Sequence, residues 1–107
     1  MPKLAMEYAQ QILADVPGDW TFYCADGRVA HNLEDLANAL ANMSDETFAY
    51  HSNSEKGDFS TWVREAVGDD KLANDLRKAS SRYRAEKAVL RRIAFLKEKL
   101  SNSESIV

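Results

Sequence analysis

Several things are scarce in this sequence. It has one cysteine, two prolines and four glycines in 107 residues, and no apolar run approaches the ~18 residues that cross a bilayer. The single Cys24 excludes an intramolecular disulfide and any Cys-Cys zinc pair, and nothing points to an oxidising compartment. So little glycine and proline leaves small scope for long irregular segments and favours helices. Near the N-terminus the apolar residues Leu4, Ala5, Met6, Tyr8, Ile12 and Leu13 are interrupted by Glu7, Gln10 and Gln11, which does not read as a signal peptide. A cytoplasmic chain with no membrane contact is the expectation. Motifs are scarce too: there is no Gly-rich phosphate loop, no Gly-x-Ser-x-Gly and no His-Glu-x-x-His. No cofactor is expected and catalysis is disfavoured.

What is present suits one folded unit. Hydrophobic residues make up 45% and charged residues 29%, enough apolar surface for a single core at this length. The net charge of −3 is unevenly spread. Residues 1–76 carry 5 Lys/Arg and 14 Asp/Glu, and residues 77–107 carry 9 and 3. Such a split is a cue to an anionic partner, or to pairing with an acidic surface.

Periodicity predicts a mainly α protein with minor β: about five helices packed on one short hairpin, ending in a long basic amphipathic helix. Leu4, Tyr8, Ile12 and Val16 recur every fourth residue over a first helix at 3–16, which Pro17-Gly18 ends. Trp20, Phe22 and Cys24 then alternate with Thr21 and Tyr23 as a strand does. Asp26-Gly27 is a hairpin turn, and Arg28–Ala30 forms the return strand. Asn32 reads as the N-cap of a helix carrying Leu33, Leu36, Leu40 and Met43, and Ser44 as the cap of a shorter one carrying Phe48. Asp58 opens an amphipathic helix with Phe59, Trp62, Val63 and Val67 on one face and Gly68 as its C-cap. Asp69 or Asp70 starts the next, with Leu72, Leu76 and Ala79 inward, and Ser80-Ser81 is a break. The expected core holds Leu36, Leu40, Phe48, Phe59, Trp62, Leu72 and Leu76. Residues 1–80 read as the compact helical domain with its hairpin at 20–30. Residues 81–107 read as the basic helix, packed or projecting, with a frayed tail at 101–107.

The final helix carries the functional expectation. At about 100° per residue, Ala85, Val89, Ile93, Leu96 and Leu100 form one apolar stripe with Leu90 at its edge. Arg84, Lys87, Arg91, Arg92 and Lys99 lie opposite, with Phe95 among them. Cations neutralise phosphates while an exposed ring stacks on a base, so this face suits RNA or a ribosomal or other ribonucleoprotein surface. The alternatives are a solvated charged face, and a homodimeric regulatory or scaffold protein that uses the same helix on a protein partner. His51, Asp58 and Trp62 form a second candidate cluster, either structural or the basis of an enzyme using His51 and Asp58. Asp58 is expected to cap its own helix. Neither His31 nor His51 has the neighbours a metal site needs, and Cys24, on the Trp20/Phe22 face, reads as an inert buried thiol.

The blocks Phe22-Tyr23, Asp26-Gly27, Asn32-Leu33-Glu34-Asp35-Leu36, Met43-Ser44-Asp45-Glu46-Thr47-Phe48, Tyr50-His51, Asp58-Phe59 and Trp62-Val63 together resemble a family. It is the small archaeal and bacterial proteins grouped as domain of unknown function 5752. The resemblance spans about residues 20–76. The family pattern has asparagine before Asp58, where this chain has Gly57. It implies that the Tyr50-His51 turn and the start of the Asp58 helix belong to one structural unit, and it implies no activity.

Overall fold

The computed structural model describes residues 2–105, with side chains between residues 6 and 101. The chain is mainly α with one two-stranded hairpin. Helix α1 (Pro2–Leu13) leads into a 3-10 turn (Gly18–Trp20) and the antiparallel strands β1 (Phe22–Tyr23) and β2 (Val29–Ala30), with Phe22 opposite Ala30 and Tyr23 opposite Val29. Helices α2 (Leu33–Asn42), α3 (Asp45–His51) and α4 (Asp58–Trp62) follow. A π-helical turn (Val63–Val67) extends α4, and α5 (Asp70–Lys78) and α6 (Arg82–Ser105) follow.

Local chemistry accounts for most of these boundaries. The side chains of Asn32, Ser44 and Asp69 each accept a hydrogen bond from the backbone N–H three residues on, at 2.7, 3.0 and 3.2 Å, satisfying donors that a helix start leaves over. Gly27 and Gly68 sit at φ 95° and 88°, where a side chain is disfavoured. Gly68 closes the π turn as its N–H and that of Asp69 both reach the Val63 carbonyl. Ser80-Ser81 does break the last helical third. The Ser81 hydroxyl accepts from the Arg84 N–H at 3.1 Å, starting α6 afresh.

That break lets α6 turn back along the body, where it packs mainly on α2 and α1 and also on α5. Ala85, Val89, Ile93 and Leu96 are buried and Leu100 partly so, together with Ala88. Val89, Ile93 and Leu96, so buried, each contribute roughly 1.5–3 kcal/mol. All seven expected core residues are buried.

Other expectations are corrected. Helix α1 stops at Leu13, not residue 16, and buries Ala9 and Ile12 while Tyr8 stays half-exposed; the side chain of Leu4 lies outside the described residues. Trp20 is not on the inner face of a strand. Its N–H bonds to the Pro17 carbonyl at 2.8 Å, so the turn begun by Pro17-Gly18 runs through it and leaves the ring half-exposed. Asp58 caps nothing: Gly57 is the N-cap residue of α4, with no side-chain cap. Helix α6 continues to Ser105 through the segment expected to fray, whose last two residues lie outside those described.

Candidate nucleic-acid interface

The break at 79–81 sets α5 and α6 side by side with a groove between them. Its volume is about 620 Å³, and Lys71, Lys78, Arg84, Lys87 and Arg91 line it with Tyr83. The acid in its wall is Asp75, bound to Lys71 at 2.7 Å one helical turn away. Among the described residues Lys78, Arg84, Lys87 and Arg91 form no ion pair. Their ammonium and guanidinium groups therefore face water in a concave surface, on a chain whose net charge is −3. Tyr83 is 61% exposed with the Lys87 ammonium 5.3 Å from its ring centre. Phe95, one turn beyond Arg91, is 45% exposed, with Arg92 and Lys99 5.1 and 5.0 Å from its centre. An exposed ring flanked by cations suits a flat, electron-rich or anionic ligand.

Arg92 departs from the rest of the basic face. It turns inward and holds Asp69 with two hydrogen bonds, from Nε to Oδ2 at 2.7 Å and from Nη2 to Oδ1 at 3.1 Å. Asp69 is fully buried, so this is a desolvated, bidentate pair. Burial works against the charge on Arg92, yet Asp69 and the Tyr8 hydroxyl beside it raise its pKa above the ordinary arginine value. Two further cations of the last third are also tied down. Arg82 reaches Asp45 at 3.0 Å and the Leu40 carbonyl at 2.8 Å, and Lys97 reaches Glu34 at 2.5 Å. The charge split thus has two sources: part of α6 neutralises the acidic body, and part faces outward along the groove.

Compared with family models, curated proteins and solved structures, the chain matches none.

His51, Asp58 and Trp62 come together below the hairpin, where α3 ends against α4. The His51 ring is 4% exposed, 5.3 Å from Phe22 and 5.4 Å from Phe59 between ring centres. Its Nε2 accepts from the Ala25 backbone N–H at 2.9 Å, and a backbone N–H can only donate, so the proton sits on Nδ1. That Nδ1–H donates to Asp58 Oδ2, also at 2.9 Å. Trp62 is buried and its indole N–H donates to the Trp20 carbonyl at 2.5 Å. Both imidazole nitrogens are therefore spent fastening the hairpin turn to α3 and α4, which leaves no lone pair for proton transfer. A cleft of about 430 Å³ opens beside Asp58, between Glu55, Lys56, Arg64 and Arg77, and His51 is not in its wall.

Among the described residues no group of three or more His, Cys, Asp or Glu could hold a metal ion, and no helix is long and apolar enough to cross a membrane. Cys24 is buried. Desolvation first, and Asp26 second, raise its thiol pKa above the ordinary value, which disfavours the reactive thiolate. Sequence reasoning missed Tyr83, Lys71 and Lys78 as interface residues, and the pairing of Asp69 with Arg92. Lys71 and Lys78 belong to the interface because α5 folds beside α6, which no helix wheel of α6 alone displays; Tyr83 lies on α6 itself, one turn before Lys87.

Proposed function

We propose that this is a noncatalytic cytoplasmic protein that binds RNA, bare or on a ribosomal or other ribonucleoprotein surface, through the groove between α5 and α6. The observation that carries the reading is the convergence of Lys71, Lys78, Arg84, Lys87 and Arg91 on one concave surface of an acidic chain. Phosphates displace condensed counterions when they meet such a surface. Tyr83 and Phe95 add exposed aromatic rings for unpaired bases. Arg92 supports the interface from behind through Asp69 and is not counted among its phosphate contacts. Membership of the domain of unknown function 5752 family belongs to the same reading. It bears on residues 20–76, so α6 and most of the groove lie beyond it.

Fluorescence anisotropy with a labelled single-stranded oligoribonucleotide, repeated across a salt series, tests the reading. Binding should weaken linearly in log affinity against log salt. The double variant Lys87→Ala/Arg91→Ala should lose about two from that slope, one per phosphate contact removed. Wild-type affinity in the double variant, or binding indifferent to salt, would sink it. Arg92→Glu is unsuited to this test, because it sets a second carboxylate against the buried Asp69 and attacks the fold itself.

A further inference from the structure

A second face of α6 carries a different pattern. Leu90 is 45% exposed beside a groove of about 400 Å³ between α6 and α2, which Ile93, Ala37 and Ala41 line. Glu86 stands at one end of the α6 side of this groove and Lys97, with Glu34, at the other. By helical geometry Leu90 points about 100° around α6 from Arg91, and this groove and the basic one share no lining residue.

We infer that this face binds a second copy of the same chain, α6 against α6 in antiparallel order. Charge complementarity identifies the occupant. A two-fold axis crossing α6 between Arg91 and Arg92 sets Glu86 opposite the second copy's Lys97, and Lys97 opposite its Glu86. The same axis sets Leu90 opposite the second copy's Ile93, so each exposed leucine enters the groove beside the other. A two-fold contact has to be self-complementary in this way, with the same patch serving on both sides. Opposite charges flanking an apolar seam fix both register and direction, as they do between paired helices. A parallel arrangement would bring Glu86 towards Glu86 and Lys97 towards Lys97. Alanines at positions 37, 41 and 94 leave room for a second helix to approach. Lys97 keeps Glu34 and gains the second copy's Glu86 at the rim. The two grooves share no lining residue, so this association does not rest on the RNA reading.

Sedimentation equilibrium of the full chain across a concentration series tests the inference, with circular dichroism to confirm that each variant is folded. The wild type should pass from monomer to dimer as concentration rises. Leu90→Asp should stay monomeric, and so should Glu86→Lys and Lys97→Glu taken singly. The double variant Glu86→Lys/Lys97→Glu should regain the dimer, because exchanging both charges restores both pairs. That recovery cannot come from lost folding. A wild type that remains monomeric up to about 1 mM, where even a millimolar association is half-populated, would overturn the inference. So would a dimer that survives Leu90→Asp, or a double variant no better associated than its parents.

Discussion

Two sets of cations share α6 and its approach, and they do different work. Arg82, Arg92 and Lys97 reach back to Asp45, Asp69 and Glu34 on other elements. Arg84, Lys87 and Arg91 reach outward into the groove beside α5. The two sets are interleaved along the chain, so neighbouring residues belong to opposite classes. Arg91 faces water, whereas Arg92, turned about 100° around the helix, holds a carboxylate that water does not reach. The charge of the segment is therefore no measure of its charge towards a partner. A basic helix can be basic partly because the body it packs on is acidic.

The largest expected effect breaks this contrast at its strongest point. Arg92→Ala leaves Asp69 buried without its counter-charge and should cost about 3–5 kcal/mol. Lys87→Ala or Arg91→Ala should stay within about 0.5 kcal/mol of the wild type. Urea unfolding of the three variants compares them directly. Equal losses would mean that the two sets are not distinct.

The second prediction concerns the hairpin end, where His51 does for the Ala25 turn and Asp58 what Arg92 does for Asp69. His51→Ala strands the Ala25 N–H and empties part of the Phe22–Phe59 cluster. A loss of about 2–3 kcal/mol is expected. Hydrogen exchange at the Ala25 amide should quicken beyond what the global loss accounts for. An amide protected as in the wild type would show that the bond is unimportant.

The smallest effect is at Asp26, an exposed turn residue. Its carboxyl pKa is held below the ordinary value of 3.8, chiefly by the Arg28 backbone N–H and further by the Arg28 guanidinium. A lowered folded-state pKa gives stability that is fully present above the unfolded value and fades as pH falls through the folded one. Asp26→Asn should therefore lower the melting temperature slightly at neutral pH, and the gap should close in acid. A gap that widened in acid would reverse the assignment.

How far the sequence displays these features depends on their range. The apolar stripe of α6 and the caps at Asn32 and Ser44 are local, set by residues within a turn or two, and were legible as such. Gly68 and the Ser80-Ser81 break are legible for the same reason. Tyr8 shows the limit of periodicity, which marks an amphipathic face but not how wide a strip the neighbouring helices cover. The strand alternation through Trp20 was overridden by the turn that Pro17-Gly18 starts. Asp69 and Asp70 look equivalent as helix starters, and only the packing of α5 on α6 tells which one meets Arg92. The candidate interface was half legible. Arg84, Lys87, Arg91 and Phe95 lie on one helix, while Lys71 and Lys78 join them across a tertiary contact that no single-helix pattern contains.

The division of the cations is most directly tested by following the backbone and side-chain amide resonances during titration with a short single-stranded oligoribonucleotide. Shifts should concentrate at Lys71, Lys78, Tyr83, Arg84, Lys87, Arg91 and Phe95, with Glu34, Asp45 and Lys97 left in place. Shifts centred instead on Lys97 and Glu34 or on the hairpin, or a spectrum that does not change, would contradict the account.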